Sequence, residues 1–188
     1  MRRHRPFDVE DKVSTYEEKL EAFRGRRVLV VGLGRSGVAA ARALAPAAAE
    51  VVACDEKPAD ELSKEARELA GAGVELRAGD QTPALLAGMD LLVRSPGVPW
   101  GALLIVAARE KGIEVVGELE LAYRLLATER VVAVTGSNGK STTTALLGEI
   151  FRRAGEDVVV AGNIGVALTA VGAEIRPTTT VVAEVSSF

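Results

Sequence analysis

The stretch Val131-Val-Ala-Val-Thr-Gly-Ser-Asn-Gly-Lys-Ser-Thr142 joins an apolar, β-branched run to a glycine-rich turn that ends in Lys140-Ser141. A strand, turn and helix in that order make a phosphate-binding loop. Backbone N–H groups of the turn and of the helix's first residues can converge on one anion, and the helix dipole favours negative charge there. Gly136, Ser137, Asn138, Gly139, Lys140, Ser141 and Thr142 are therefore the candidate phosphate cradle. In it Lys140 would reach the β- and γ-phosphates and the Ser141 hydroxyl would ligate Mg²⁺. The general consensus has its first glycine five residues before Gly139, where Val134 stands, so Gly136 opens a shorter loop.

Upstream, a second glycine turn follows the buried-strand run Val28–Val31: Gly32, Leu33, Gly34, Arg35, Ser36 and Gly37. With Asp55 ending the next apolar run, Val51–Cys54, this fits the dinucleotide fingerprint, in which glycines admit a diphosphate and the acid meets a ribose. Taken alone it points to NAD. The rest alternates in the same way: a helix over 38–45, a helix over 61–70 closed by Gly71, a weaker strand over 74–76, a strand over 91–93, a helix over 101–111, a strand over 113–116 and an amphipathic helix over 117–126. After the second glycine loop come a helix over 141–154, a strand over 158–160, a helix over 166–172 and a strand over 180–185. Parallel neighbours need crossover connections, so the alternation demands helix-covered parallel sheets. The expected fold is α/β, a Rossmann-like parallel-sheet domain followed by the first part of a P-loop ATPase α/β domain. The expected limits are a loose arm over 1–24, a first domain over 25–127 and a second over 128–188.

With 188 residues, 48% of them hydrophobic, the chain can bury a real core. A net charge of -3 and 4% aromatic residues give no general reason to expect nucleic acid or an anionic membrane as partner. One cysteine excludes an internal disulfide framework and fits a reducing cytosol, so Cys54 reads as a small core residue. The basic opening Met1 to Pro6 is followed by no apolar segment of signal-peptide kind. His4 reads as a solvated side chain and Trp100 as a packing residue at a helix start. Ser186 and Ser187 have no neighbouring His to activate them.

The loop Thr135-Gly-Ser-Asn-Gly-Lys-Ser-Thr142 resembles that of the Mur ligases, ATP-dependent amide-bond ligases of peptidoglycan precursor synthesis. Gly32–Gly37, Ser95-Pro-Gly-Val-Pro99, Gly162-Asn-Ile-Gly165 and Glu184-Val-Ser-Ser-Phe188 add to the resemblance, which runs from about residue 27 onward and looks most like the D-glutamate-adding branch. The resemblance implies that ATP activates the carboxylate of UDP-N-acetylmuramoyl-L-alanine as an acyl phosphate, which the amine of D-glutamate attacks. It makes Lys140 and Glu184 the catalytic candidates, Ser141 and Glu184 the Mg²⁺ ligands, and the 136–142 loop the ATP site. It moves the first glycine turn from NAD to the UDP moiety. There Gly32, Leu33, Gly34, Arg35, Ser36, Gly37, Asp55, Glu56, Lys57, Ser95, Pro96 and Gly97 would meet the nucleotide, with Asn163 at the muramoyl-alanine end. Glu56 and Lys57 stand where the family pattern often has a hydroxyl and an Arg. A cytoplasmic monomer is expected, with the three substrates as its partners and no nucleic acid or membrane. A non-catalytic NAD-binding or sensor module is the alternative. The second domain stops at its third strand, leaving apolar strand surface uncovered. The chain thus reads as truncated and is expected to be inactive alone as a ligase.

Overall fold

The computed structural model describes residues 14–163 and 165–186. Expectations placed on His4, Ile164, Ser187 and Phe188 fall outside them. Among the described residues eight strands form two parallel sheets. In the first, β1 (Arg27–Val31), β2 (Glu50–Asp55), β3 (Glu75–Ala78), β4 (Leu91–Arg94) and β5 (Glu114–Gly117) lie in the order β3-β2-β1-β4-β5. In the second, β6 (Val131–Val134), β7 (Val158–Gly162) and β8 (Thr180–Glu184) lie in the order β6-β8-β7. The mixed α/β class with parallel sheets agrees with the sequence reading.

The register explains where chemistry can happen. Val31 pairs with Cys54 and Arg94, and Arg94 pairs with Gly117, so the strands finish along one edge. The loops after β1, β2 and β4 gather there, and such an edge is where open α/β sheets bind ligands. β1 is buried at Val28 to Val31, because helices cover both faces of the sheet. Val28, Val30, Ala53 and Val93 pack with Val38, Ala41 and Leu44 on one face. Leu29, Val31, Val52 and Leu92 pack with Leu104, Ile105 and Ala108 on the other.

Several helices differ from the pattern-based expectation. α1 (Tyr16–Leu20) is capped by Thr15, whose hydroxyl accepts from the Glu18 N–H, and it continues as a 3-10 turn to Phe23. Phe23 is only 3% exposed and sits in the first core, so this end of the expected arm is docked rather than loose. α2 (Arg35–Leu44) begins three residues earlier than expected, because the extended Gly34 is its N-cap. The helix expected over 61–70 is only α3 (Lys64–Arg67), started by the Ser63 hydroxyl and followed by a 3-10 turn that Gly73 closes. α4 (Leu103–Glu110), α5 (Glu118–Leu125) and α6 (Lys140–Arg153) lie close to expectation. α7 (Leu168–Val171) is a single turn extended by a 3-10 segment.

α7 ties the two sheets together. Leu168, Ala161, Ile175 and Val181 of the second sheet's surroundings share a buried cluster with Ala122 and Leu126, contributed by α5 and the residue after it. β8 is buried along its length, whereas β6 and most of β7 are half-buried and Ala133 is exposed. Among the described residues no helix is long and apolar enough to cross a membrane.

Candidate functional site

The first glycine turn is held from three sides. Gly32 takes a left-handed φ of 88° that L side chains resist, and its N–H donates to the Cys54 carbonyl at 2.8 Å. The Leu33 N–H donates to Asp55 Oδ2 at 2.6 Å, and Asp55 Oδ1 accepts from the Lys57 N–H at 3.0 Å. From below, the Ser95 hydroxyl donates to the Gly32 carbonyl at 2.6 Å, and the Ser95 N–H to the Val31 carbonyl at 3.0 Å. A methyl group at Gly37 would fall on the Gly32 carbonyl and lie 2.5 Å from Ser95 Oγ. At Gly34 it would meet nothing within 4 Å. The third glycine lets α2 approach the strand, and the second faces open space.

That space is a cavity of about 470 Å³. Gly32, Gly34, Arg35 and Ser36 line it from the turn, Asp55, Glu56 and Lys57 from the end of β2, and Ser95, Pro96 and Gly97 from the loop after β4. Gly162 and Asn163 close it from the second sheet. Two expected contacts differ. Leu33 is 5% exposed and Gly37 is buried, and neither lines this cavity. Asp55 and Ser95 reach it, but their polar atoms are already engaged in shaping the turn. A larger hollow of about 1110 Å³ lies over the outer face of α2, between α1 and α7. Its walls mix apolar Leu20, Val38, Ala43 and Leu62 with Arg42, Lys57, Glu61 and Glu65; of the two, the smaller cavity is the one that reaches the loop after β4 and Asn163.

At the second sheet, β6 runs into the loop 135–139 and α6 starts at Lys140, with Gly139 as a left-handed N-cap (φ 74°). The Lys140 ammonium folds back over the loop and donates to the Gly136 carbonyl at 2.6 Å. Ser141 Oγ donates to Glu184 Oε2 at 2.8 Å, and Thr144 Oγ1 donates to the Lys140 carbonyl at 2.8 Å. Glu184 ends β8 and is 5% exposed. Its backbone carbonyl accepts from the Asn163 N–H at 3.0 Å, which carries the 162–165 loop to the same edge. Ser141 and Glu184, 43 residues apart in sequence, are thus brought together. The loop residues Ser137, Asn138 and Thr142 are exposed around them.

A third cavity, of about 270 Å³, lies between the sheets and is lined by Ser36, Arg94, Pro96, Trp100, Glu118, Asn163 and Glu184, among others. It shares Ser36, Pro96, Gly162 and Asn163 with the 470 Å³ cavity. The shared walls make one path from the glycine turn to Glu184. Two hydrogen-bonded bridges flank it. Arg35 Nη1 donates to the Gly165 carbonyl at 2.9 Å, and Glu118 Oε1 accepts from the Thr169 N–H at 3.1 Å and from its hydroxyl at 2.6 Å. Burial raises the Glu118 pKa above the usual carboxylate range, with the Thr169 bonds acting the other way. Burial likewise pushes the Cys54 thiol up to about 12, which leaves it inert.

Arg94, Glu118 and Gln81 were not singled out by sequence reading, yet all three line these cavities. A charged residue ending an apolar strand, as Arg94 does, and an acid following the last strand of a parallel sheet, as Glu118 does, are the signals that could have found two of them.

Comparison with known proteins matches this geometry. Residues 26–117 match the profile of the Mur ligase MurD-like N-terminal domain, and residues 134–188 that of the Mur ligase middle domain. A UDP-N-acetylmuramoylalanine--D-glutamate ligase of Pelotomaculum thermopropionicum is 47% identical over 169 residues, 90% of this chain and 37% of that protein. The protein of the same name from Caldanaerobacter subterraneus is 45% identical over 163 residues, 87% of this chain. This chain spans 36% of the Caldanaerobacter protein's length. Among solved structures, the UDP-N-acetylmuramate:L-alanyl-gamma-D-glutamyl-meso-diaminopimelate ligase of Neisseria meningitides has a TM-score of 0.54 at 20% identity, with 87% of this chain and 55% of that one covered. The UDP-N-acetylmuramate-alanine ligase of Thermotoga maritima has a TM-score of 0.52 at 20% identity, with 86% of this chain and 37% of that one covered. These two likenesses speak for the fold alone. With two domain profiles matching in chain order, one over each sheet, and relatives 45% and 47% identical across most of its length, the chain belongs to the Mur ligase family.

Proposed function

We propose that this chain carries the UDP-substrate site and the ATP phosphate loop of a ligase that adds D-glutamate to UDP-N-acetylmuramoyl-L-alanine in peptidoglycan precursor synthesis. Residues 25–127 hold the UDP-linked substrate and residues 128–188 the ATP phosphates. The carrying observation is the continuity of the two cavities through Ser36, Pro96, Gly162 and Asn163. One extended substrate, with its diphosphate at Gly32–Gly37 and the N-terminus of α2, has a path for its far carboxylate to reach Ser141 and Glu184. ATP phosphorylates that carboxylate, the amine of D-glutamate attacks the acyl phosphate, and ADP and phosphate leave.

The residues divide the work. Gly136, Gly139 and the first N–H groups of α6 receive phosphate oxygens, and Lys140 leaves the Gly136 carbonyl to meet the β- and γ-phosphates. A hydroxyl and a buried carboxylate 2.8 Å apart are hard oxygen donors of the kind that suits Mg²⁺, so Ser141 and Glu184 would hold that ion. Bound there, it would supply neutralising charge beside the transferring phosphoryl group. The protein works as a cytoplasmic monomer whose partners are UDP-N-acetylmuramoyl-L-alanine, D-glutamate and ATP, with no nucleic acid or membrane.

The rival reading is an NAD-binding module, in which Asp55 would meet a ribose. Each Asp55 carboxylate oxygen accepts one backbone N–H, from Leu33 and Lys57, and keeps a second lone pair, so ligand binding decides between the two readings. Calorimetry on the 188-residue chain separates the two readings. UDP-N-acetylmuramoyl-L-alanine should bind saturably and NAD far more weakly. Gly34→Val should weaken the UDP ligand about tenfold or more, equivalent to ~1.4 kcal/mol. Lys140→Ala should leave that isotherm unchanged while reducing binding of ATP with Mg²⁺. Tighter binding of NAD than of the UDP ligand would overturn the assignment.

A further inference from the structure

Trp100 is the only tryptophan of the chain, on the turn between β4 and α4, and it is 41% exposed. The sequence reading made it a packing residue. Instead its ring carries two guanidinium groups, Arg94 with its carbon 4.3 Å from the ring centroid and Arg109 at 4.6 Å. Arg94 is half-buried. Its Nη1 donates to the carbonyls of Ser95 at 3.3 Å, Pro96 at 3.2 Å and Val98, while its Nε is buried without an acceptor. Among the described residues Nη2 has no protein acceptor, and neither arginine pairs with a carboxylate. Elsewhere the chain matches such cations with acids, as where Arg26 and Arg124 share Glu114 at 2.7 and 2.6 Å. Burial, and then repulsion by Arg109, lowers the Arg94 pKa. The π face of the tryptophan offsets part of that cost. The acids that line the same cavity are engaged elsewhere, Glu118 by Thr169, Glu120 by Arg124 and Glu184 by Ser141, so the two adjacent cations have no acid of their own.

We propose that Arg94 and Arg109, stacked on Trp100, form an anion-binding site at one wall of the cavity between the two sheets, taking a carboxylate or phosphate group. Arg94 and Trp100 line that cavity together with Ser36, Asn163 and Glu184. The planar guanidinium is suited to both oxyanions, and the ring beneath it fixes its plane. Its cavity adjoins the glycine turn through Ser36 and the 136–142 loop through Glu184, but the anion is held by Arg94 and Arg109, so binding there does not depend on the ligase reading. A purely structural reading also exists, in which Arg94 does no more than hold the carbonyls of the 95–98 loop.

The lone tryptophan makes the site its own reporter. Fluorescence of the 188-residue chain is followed during titration with D-glutamate and, separately, with inorganic phosphate, each against potassium chloride at matched ionic strength. A saturable change with at least one anion is expected. D-glutamate alone would identify a carboxylate site, phosphate alone a phosphate site, and both the shared oxyanion chemistry. Arg109→Met removes a side chain that makes no hydrogen bond among the described residues and leaves the backbone bonds of the helix end in place, so the fold should persist while affinity falls about tenfold, the worth of one charge-assisted contact. Phosphate held by the 136–142 loop would not respond to that change. A response to both anions no different from chloride, or an Arg109→Met curve that overlays the parent's, would overturn the proposal.

Discussion

Glu118 illustrates how much a single side chain can decide. It opens α5, is 4% exposed and spends one oxygen on two donors of Thr169, 51 residues away. Its pKa is raised in the folded state, so the native protein holds this proton more tightly than the unfolded chain does. Its contribution to stability is therefore fully present at low pH, and is lost as pH rises from the ordinary value of 4.5 through the raised one. Glu118→Gln keeps an acceptor for Thr169 and cannot ionise. The difference in Tm between variant and parent should shift in the variant's favour between pH 5 and pH 8, since other titrating groups are common to both. A difference that stays constant over that range would mean the buried charge carries no penalty. Lys140 and Ser141 were read from one strand-turn-helix motif and Glu184 from the end of a separate apolar strand, and the fold sets Ser141 Oγ 2.8 Å from Glu184 Oε2. Asp55 was read as a ligand contact, and the fold adds a task that sequence does not show, with the Leu33 N–H 2.6 Å away. Arg94 and Glu118 escaped notice because charged residues in sequence look solvated, and burial is decided by elements far along the chain.

Among elements, the first glycine turn makes the sharpest contrast between neighbours. Gly37 sits where any side chain would strike the Gly32 carbonyl, a backbone atom that cannot swing away. Gly37→Ala should cost about 1–3 kcal/mol through overpacking. Gly34, extended at φ -69° with open space around it, should accept alanine within about 0.5 kcal/mol. Urea unfolding of both variants measures the two values, and equal stabilities would remove the close approach between α2 and β1. Strands were legible to within a residue or two, because β-branched runs bounded by glycine leave little choice. Helices were less so. The 61–70 segment buries only Leu62, Ala66 and Leu69 and contains Ser63, whose hydroxyl accepts from the Ala66 N–H at 3.2 Å and starts the helix late. Hydrophobic periodicity alone does not register such a local hydrogen bond.

On the scale of the molecule, the two sheets behave as neighbours that share a wall. Leu126, 1% exposed, belongs to the cluster that holds Leu168, Ile175 and Val181, although it precedes the second sheet in sequence. Tyr16 of α1 reaches the other side of the same region, where a methyl group at Gly172 would lie 2.9 Å from its ring. Calorimetric unfolding should therefore show one transition. Leu126→Ala should lower it by about 2–5 kcal/mol of stability without splitting it. Two resolved transitions in the parent would show instead that the shared cluster does not couple the sheets. The alternation of strands and helices was enough to read two parallel sheets. Their strand orders were not legible, because nothing local says which neighbour a strand will choose.

The order β6-β8-β7 has a consequence for how the chain is made. β6 and β7 have no hydrogen bonds to each other and meet only through β8, the last of the three in sequence. During synthesis, the facing edges at Val131–Val134 and Val158–Gly162 stay open until residues 180–184 have left the ribosome. Through that interval two valine-rich strands offer unpaired backbone to any passing strand. The first sheet, complete by Gly117, has by then had some sixty further residues of elongation in which to close. The 135–139 loop between β6 and α6 thus waits on the last strand of its own sheet, and the early sheet is the surface on which that sheet closes.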